Sequence, residues 1–388
     1  MNEENGNELY INFDEYIRQG EPAKRKRADA WRVAIGLQAV DGLQTSAYLQ
    51  ETARRNIEGD ITIDEAKALV NQYYIKKTAH DEGDTNKEEA DKVSTNISKL
   101  LQTDSFTYSV AGFAAIHKAI FEGVFKYAGK FRDYDITKKE WVLRGDTVLY
   151  AHWEDLSMTI QYDLDQERQF NYKLLDRDKM VEHIAKFVSG LWQIHPFGEG
   201  NTRATAIFTI KYLRSLGFDV NNDMFEQHSW YFRNALVRAN YRNVAKGIEY
   251  EPLFLVRFFR NLLLGEDNAL KNRFMMINPP EECKMPETGQ ATDKNRTSTG
   301  QAQDKFYTED EDILRILKVL GHQQMTIKGI MEGLNLKGRD NFLNLYLNPA
   351  IAEGFVSMLY PDKPRHPRQK YLLTAKGVML YNEIVSNQ

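Results

Sequence analysis

The stretch His195-Pro196-Phe197-Gly198-Glu199-Gly200-Asn201-Thr202-Arg203 lies between two apolar segments of the chain. In the segment before it, apolar residues recur every three or four positions: Val181, Ile184, Val188 and Leu191. This spacing is typical of a helix with one buried face. Residues 204–213 are apolar on nearly every side, which indicates a second, largely buried helix. The sequence therefore predicts a tight turn between two helices.

The residue types in this turn suit a nucleotide phosphate. The free N–H groups and the dipole at the start of the second helix favour an anion, and Gly200 lets a ligand approach the backbone closely. Glu199 is a candidate Mg²⁺ ligand, because Mg²⁺ usually takes one or two protein carboxylates and keeps its waters. Arg203 offers a fork of donors to phosphate oxygens. His195 titrates near neutrality and is the candidate general base.

Each part of this pattern also has a plain structural explanation. A single histidine before Pro-Phe is more often a capping or core residue than a catalyst, and Gly-Glu-Gly-Asn by itself is a turn. The order of histidine, acid, glycine, asparagine and arginine between two apolar helices is much rarer than its parts. The combination therefore favours a catalytic site.

The turn resembles the signature of the Fic (Fido) family, which is His-Pro-Phe-x-acid-Gly-Asn-Gly-Arg followed, after two further residues, by a second arginine. The resemblance implies transfer of a nucleotide monophosphate, usually AMP from ATP, to a hydroxyl of a target protein. It also implies that His195 deprotonates the hydroxyl and that Glu199 holds Mg²⁺. The residues expected to contact the nucleotide here are Gly200, Asn201, Thr202 and Arg203. Positioning and charge neutralisation would supply most of the rate.

Two positions depart from the family signature. Thr202 stands where the signature has glycine, and Ala206 stands where it has the second arginine. Without that guanidinium the γ-phosphate loses a charge-assisted hydrogen bond of about 1.5–3 kcal/mol. The nucleotide donor therefore stays open between ATP and another phosphate donor.

Two further segments fit the family outline. Residues 141–151 contain two strand-like runs around Arg-Gly-Asp, where the family has a hairpin flap that clamps its target by strand addition. The predicted flap residues are Thr147, Val148, Leu149 and Tyr150, although an ordinary surface hairpin explains the pattern equally well. Residues 230–241 predict an aromatic helix where the family packs around adenine, with Tyr231 and Asn240 as base contacts. An aromatic stripe is more often plain core.

Three helices are predicted near the N-terminus. Their limits are residues 24–44 with Gly42 as the stop, Ser46 to Gly59, and residues 62–74 with Thr62 and Glu65 as a capping box. This layout resembles the small antitoxin module that inhibits some Fic enzymes. In that module a glutamate, in a Ser/Thr-x-x-x-Glu-Gly motif, pairs with the second arginine and blocks the γ-phosphate site.

In the positions of that motif, this chain has Leu37 for the Ser or Thr and Asp41 for the glutamate, which makes Asp41 the candidate autoinhibitory residue. Because the partner arginine is also replaced, by Ala206, the sequence predicts that inhibition by a salt bridge is absent. Structural support by these helices and steric restraint of the site both stay open. Glu58 also precedes a glycine, but Arg54 stands at its Ser/Thr position, so Glu58 is rejected as the inhibitory residue.

The composition is that of an ordinary globular protein. Hydrophobic residues make up 42% and charged residues 27%, and the net charge of −4 gives no overall attraction to nucleic acid or membrane. The single Cys283 excludes an internal disulfide framework. No apolar run is long enough to span a membrane, and the polar start does not resemble a signal peptide, so we expect a cytoplasmic protein with no membrane partner.

The last part of the chain reads as a linker and a small domain. Residues 279–305 are polar and contain three prolines, which is typical of a flexible linker. The pattern after it predicts helices over 310–320, 325–331 and 339–347, strands over 354–359 and 369–374, and a final helix. This order resembles a winged helix-turn-helix with a basic wing between Asp362 and Lys370. Such units also serve in protein docking or dimerisation, so DNA binding and protein docking both stay open.

Together these patterns predict a mainly α protein: a Fic-type helical core with a small β-hairpin flap, plus a C-terminal winged helix-turn-helix-like domain. The expected units are an N-terminal antitoxin-like module (1–80), a catalytic domain (81–278), a linker (279–305) and the winged-helix-like domain (306–388). The expected function is Mg²⁺-assisted AMP transfer from ATP to a Ser, Thr or Tyr hydroxyl of a target protein, either another protein or the chain itself. The alternative is a non-catalytic or weakly catalytic regulator that acts through its winged-helix domain.

Overall fold

The computed structural model describes residues 11–77, 82–172, 175–220, 223–278, 308, 310–361 and 363–386. Within them the chain is mainly α-helical, as predicted, with one small antiparallel sheet near the C-terminus. The helices before the predicted linker are α1 (Phe13–Gln19), α2 (Pro22–Gly36), α3 (Ala47–Glu58), α4 (Ile63–Lys76), α5 (Glu82–Leu101), α6 (Val110–Phe121), α7 (Leu156–Gln169), α8 (Arg177–Ile194), α9 (Asn201–Ser215), α10 (Asp223–Gln227), α11 (Ser229–Asn240) and α12 (Leu253–Phe259). Short 3₁₀ segments lie at Leu37–Asp41, Trp141–Leu143, Trp153–Asp155, Val244–Lys246 and Asn272–Met275, and a π turn at Arg260–Leu264.

The N-terminal helices begin and end where their caps predict. Helix α2 continues as the 3₁₀ segment Leu37–Asp41 and stops at Gly42. The Ser46 side chain caps α3, which ends at Gly59. The predicted capping box of α4 is present, because Glu65 accepts from the Thr62 N–H at 2.7 Å while Thr62 Oγ1 accepts from the Glu65 N–H at 3.2 Å.

Helix α9 lies at the centre of the main hydrophobic core. Every residue from Asn201 to Leu213 is buried, which confirms the predicted buried helix. The main core also contains residues of α5, α6, α7, α8, α11 and α12, and Val33 of α2. Trp31, on another face of α2, belongs to a second core formed with α1, α3 and α4. Helix α2 therefore joins the N-terminal helices to the central bundle, and the predicted boundary at residue 80 stays a prediction.

The predicted two-stranded flap hairpin is wrong in its secondary structure. Trp141–Leu143 forms a 3₁₀ turn, and residues 147–151 are extended and pair with no strand in the described part of the chain. The segment closes on itself, because the Glu140 N–H donates to the Asp146 carbonyl at 2.9 Å and the Gly145 N–H donates to the Glu140 carbonyl at 3.0 Å. The buried Glu140 is held by Arg233 at 2.9 Å. This distant partner overrides the local strand pattern.

The C-terminal domain has its own core and the predicted order of elements. They are α13 (Glu311–Leu320), α14 (Ile327–Gly333), α15 (Arg339–Phe342), a π turn (Leu343–Leu347), α16 (Asn348–Ala352), β1 (Val356–Met358), β2 (Tyr371–Leu373) and α17 (Ala375–Ser386). Strands β1 and β2 are antiparallel, with Val356 opposite Leu373, and Met325 adds an isolated bridge to Tyr371. The strands are shorter than predicted. The linker, with Cys283, lies outside the described residues, and the winged-helix identity stays a prediction.

The C-terminal domain contacts the end of α9 that is remote from the signature turn. A Cβ on Gly217 would lie 2.2 Å from the Gly354 carbonyl oxygen, so only glycine permits this approach. Arg177 of α8 pairs with Glu383 of α17 at 3.0 Å. Among the described residues, no helix combines the length and apolar character needed to cross a bilayer.

Candidate active site

The signature turn is closed by its own asparagine. Asn201 Nδ2 donates to the Phe197 carbonyl at 2.7 Å, and the Phe197 N–H donates to Asn201 Oδ1 at 2.9 Å. His195 ends α8 in the left-handed region at φ +52°. The predicted tight turn is therefore confirmed. The amide predicted to contact phosphate is used within the turn itself.

Gly200 is required for packing as well as for backbone conformation. Its φ is +75°, and a Cβ at this position would lie 2.1 Å from Phe121 Cζ. Any side chain here would displace the aromatic ring that supports the turn. The sequence analysis singled out Gly200 because it would let a ligand approach closely, whereas in the structure the glycine is required by the contact with Phe121.

His195 is buried with one ring nitrogen unpartnered. Its Nδ1 lies 3.4 Å from the Trp192 carbonyl oxygen. Because a carbonyl only accepts, Nδ1 carries the proton and Nε2 keeps a free lone pair. Nε2 is buried and has no hydrogen-bond partner among the residues described. Burial lowers the pKa of His195 well below its ordinary value, and the charges of Lys138, Arg132 and Arg233 lower it further.

Arg132, which the sequence did not single out, holds the backbone around His195. Its guanidinium donates to the carbonyls of His195 at 2.9 Å, Tyr134 at 2.6 Å and Ala151 at 2.5 Å. The Arg132 N–H also donates to the Pro196 carbonyl at 2.9 Å. Burial lowers the pKa of Arg132 from its ordinary value. One buried side chain thus ties the turn to the extended segment 147–151.

Glu199 forms an ion pair with Lys138. The Lys138 Nζ lies 3.1 and 3.3 Å from the two carboxylate oxygens. Burial by itself would raise the pKa of Glu199, but the Lys138 ammonium, the Gly200 N–H and the Arg203 charge together outweigh it, and the pKa lies below its ordinary value. No cluster of three or more potential metal ligands occurs in the described ranges. A single partly exposed carboxylate still fits Mg²⁺, which takes its other ligands from phosphates and water.

Arg203 has acidic partners on two sides. Its Nε lies 2.8 Å from Asp41 Oδ2, and its Nη2 donates to Glu89 Oε1 at 2.9 Å. Gln38 Oε1 accepts from Nη1 at 3.2 Å, and the guanidinium lies over the Phe121 ring. The Nε–H points off the line to Asp41, so that contact is an ion pair without a well-aligned hydrogen bond.

Asp41 therefore does make a salt bridge in the site, although the absence of inhibition by a salt bridge stays a prediction. That prediction follows from the replacement of the second arginine, and Ala206 is indeed a fully buried core residue on α9. Asp41 instead pairs with Arg203, the first arginine of the signature. Glu58 bonds Tyr16 and Lys24, in keeping with its rejection as the inhibitory residue.

Three other predicted nucleotide contacts are engaged within the fold. Thr202 Oγ1 accepts from Trp192 Nε1 at 2.9 Å. The buried Tyr231 donates its hydroxyl to the Phe254 carbonyl at 3.1 Å, and Asn240 Nδ2 donates to Ser189 Oγ at 2.8 Å. The aromatic helix α11 packs into the main core, as a plain core stripe does. The positions of Tyr231 and Asn240 give no support to base contacts.

The predicted flap residues lie beside the turn although they form no hairpin. The Tyr150 ring lies 4.2 Å from the His195 ring, and Val148 is buried. Leu149 is 84% exposed, and its carbonyl accepts from Gln193 Nε2 at 3.1 Å. Thr147 Oγ1 accepts from the Lys138 N–H at 3.3 Å. Side chains therefore alternate between the site and the surface.

His117 supports the middle of the turn and was also missed. Its Nδ1 accepts from the Gly129 N–H at 2.9 Å, so Nε2 carries the proton and donates to the Glu199 carbonyl at 2.9 Å. The ring stacks on Phe197 with centroids 3.8 Å apart. Burial lowers the pKa of His117 to about 4. Like Arg132 and Glu89, it lies far from the turn in sequence, and no local pattern marks it.

Two stretches of the chain match known protein families. Residues 107–213 match the model of the Fic/DOC family. Residues 311–374 match the model described as the C-terminal domain of Fic-like "filamentation induced by cAMP" proteins. The chain therefore carries a Fic/DOC domain and a Fic-like C-terminal domain.

Curated relatives are distant and are matched in part. Protein adenylyltransferase VbhT of Bartonella schoenbuchensis is 28% identical over 129 residues, which is 33% of this chain and 25% of that protein. The probable protein adenylyltransferase Fic of Escherichia coli is 27% identical over 118 residues, which is 30% of this chain and 54% of that protein. The matches thus span a quarter and about half of those relatives.

Solved structures resemble this chain less than the curated relatives do in sequence identity. A Fic family protein from Desulfovibrio desulfuricans has a TM-score of 0.41 at 16% identity and covers 94% of this chain and 91% of its own. The BepC protein of Bartonella tribocorum, solved with bound AMPPNP, has a TM-score of 0.38 at 18% identity and covers 48% and 90%. The domain assignment rests on the sequence matches.

Proposed function

We propose that this chain, because it carries a Fic/DOC domain, transfers AMP from ATP to a hydroxyl group of a protein. The single observation that supports this most strongly is the unpartnered Nε2 of His195, a buried lone pair in the residue predicted to be the base. A purely structural histidine at this burial would be expected to use both ring nitrogens.

His195 is suited to take the proton of an attacking hydroxyl. The imidazole is neutral, its Nδ1 proton is directed by the Trp192 carbonyl, and Nε2 accepts. As the hydroxyl oxygen bonds to the α-phosphorus, the bond from that phosphorus to the bridging oxygen breaks and pyrophosphate leaves. The negative charge of the nucleotide would oppose the surrounding cations and raise the His195 pKa towards neutrality, where a general base works best.

The phosphates would bind at the start of α9. No side chain of the described residues caps the first N–H groups of this helix, and the helix dipole favours an anion there. Lys138 and Arg203 supply positive charge on either side of Glu199. Glu199 would hold Mg²⁺, which when bound neutralises phosphate charge, and Lys138 would have to move from the carboxylate to the phosphates.

Asp41 and Glu89 would restrain this activity by occupying Arg203. The buried guanidinium contacts two carboxylates instead of water, so a phosphate must compete with them. Asp41 belongs to the N-terminal helical region and Glu89 to α5. A movement of the N-terminal helices away from α9 would release the arginine.

The target protein would bind along residues 147–151. This segment is extended, and the exposed Leu149 faces outward while Tyr150 contacts His195. A strand of the target can pair with the backbone groups of this segment that Gln193 and Arg132 do not already use, and bring its hydroxyl to the histidine.

The experiment is labelling with Mg²⁺ and each α-labelled nucleoside triphosphate, using the purified chain and a lysate. Label is expected on protein with ATP, and His195→Ala should lower the rate by roughly 10²- to 10⁴-fold, the usual contribution of a general base. His322→Ala, an exposed histidine of the C-terminal domain, is the matched control and should leave the rate unchanged. Equal labelling by wild type and His195→Ala would refute the proposal.

A regulator without transferase activity is the second candidate. It is favoured by Ala206, which leaves the γ-phosphate without its usual arginine, and by the engagement of Arg203. Absence of label with every nucleotide, also after replacement of Asp41 and Glu89, would favour this function.

A further inference from the structure

The C-terminal domain contains two helices joined by a short turn. Helix α14 ends at Gly333 and α15 begins at Arg339. The second helix continues through the π turn to Ala352 as one helical run. Pro349 has no N–H to donate to the Leu345 carbonyl, which accounts for the local π geometry.

The outer side of this helical run carries groups that can contact base edges. Asn341, Asn344 and Asn348 are exposed, and Leu345 is 57% exposed between them. Asparagine amides pair with the major-groove edge of adenine, and apolar side chains contact the thymine methyl group. Arg339 is the basic residue at the start of the run, and Asp340 is its one acidic residue.

The loop between β1 and β2 is basic and preorganised. Lys363, Arg365 and Arg368 are exposed, and no ion pair joins them to a carboxylate within the described part of the chain. The loop is closed at its base by Gln369, whose side chain donates to the Tyr360 carbonyl and accepts from the Tyr360 N–H, both at 2.9 Å. A fixed loop loses little conformational entropy when it contacts phosphates.

The helical run and the loop stay accessible in the whole chain. The contacts with Arg177 and Gly217 use Gly354 and helix α17 instead. The Asn residues and the loop cations remain exposed with those contacts formed. The domain therefore presents a polar helix and a basic loop outward.

We propose that this surface binds double-stranded DNA, with the helical run from Arg339 in the major groove and the loop from Lys363 to Lys370 on the phosphate backbone. An α-helix fits the major groove, and a basic hairpin loop beside it reaches the adjoining phosphates. An acidic protein would account for the cations but not for the row of exposed asparagines. The inference is independent of nucleotidyl transfer.

The test is fluorescence anisotropy of a labelled mixed-sequence duplex with the full chain at rising salt. Binding is expected with a slope of log affinity against log salt of roughly −3.5 for four phosphate contacts. Arg365→Ala/Arg368→Ala should bring the slope nearer zero by roughly 2 and weaken binding by about tenfold or more at low salt. Asn341→Ala/Asn344→Ala should keep the slope and lose roughly tenfold of any preference between A·T-rich and G·C-rich duplexes.

Lys76→Ala/Lys318→Ala removes the same charge from exposed positions outside the surface and should leave affinity within about twofold. His195→Ala should bind DNA like the wild type, which separates this proposal from the enzymatic one. The proposal is overturned by no duplex binding at low salt, by equal loss in the lysine control, or by tighter binding of single-stranded RNA or polyglutamate. Thermal melts of each variant verify folding.

Discussion

The two ends of the signature turn are both buried, but the polar side chains at the two ends differ in the number of partners that they have. At the His195 end, Nε2 has no partner among the described residues. At the Arg203 end, Asp41, Glu89 and Gln38 surround the guanidinium. The histidine end is poised to accept a proton, whereas the arginine end is already occupied.

This difference indicates where control of the site resides. A neutral imidazole tolerates burial without a partner at modest cost, whereas an unpaired buried guanidinium costs several kcal/mol. The fold must therefore supply carboxylates for Arg203 whenever no phosphate is bound. Those carboxylates then compete with the phosphate when it arrives.

The largest effect is expected at the His195 end, from Arg132→Lys. Lysine keeps the charge but cannot reach three separated carbonyls, and each lost charge-assisted bond costs roughly 1.5–3 kcal/mol, so about 3 kcal/mol or more of unfolding free energy should be lost. Urea denaturation measures this. Arg144→Lys, at an exposed arginine that bonds the Asn278 carbonyl, should cost under about 1 kcal/mol. Similar losses in both variants would contradict the role of Arg132.

A loss of stability of similar size is expected in acid from His117, which supports the middle of the turn. Its pKa is about 4 in the fold and about 6.5 when unfolded, so the unfolded chain binds the extra proton between these values. The contribution of His117 to the unfolding free energy is therefore full above pH 6.5 and falls by about 3 kcal/mol as the pH drops to 4, and His195, whose pKa burial also lowers, adds a loss of its own. His117→Gln, which can still donate and accept, should lack the His117 part of this loss.

Denaturation at several pH values compares His117→Gln with the wild type. His322→Gln, at an exposed histidine, should follow the wild-type curve. If His117→Gln loses as much unfolding free energy in acid as the wild type does, groups other than His117 cause the loss.

The smallest effect is expected at the Arg203 end, from Asp41→Asn. Removing one charge from the arginine's surroundings should tighten ATP binding by about tenfold, roughly the Coulomb energy of one partly exposed ion pair. Calorimetric titration with Mg²⁺ and ATP measures the Kd. Asp64→Asn, which breaks the exposed pair with Lys99 in the same region, is the control and should change the Kd less than twofold. An unchanged Kd in Asp41→Asn would remove the idea of restraint.

Much of the fold followed from local signals. Caps at Ser46, Gly59 and Thr62 fixed helix limits, and the apolar face of α13 marked a separate core. The flap hairpin was wrong because Glu140 is held by Arg233, almost a hundred residues away. The roles of the predicted site residues stay predictions, although the turn that carries them is confirmed.

The sequence by itself determined the signature turn, because its residues are adjacent and a short chain segment has few conformations that satisfy Gly200, Asn201 and a helix on each side. Only the tertiary structure decided what each polar group meets. Arg203 pairs with Asp41, and His195 Nε2 has no hydrogen-bond partner among the described residues. Both outcomes depend on helices that come together from distant parts of the chain.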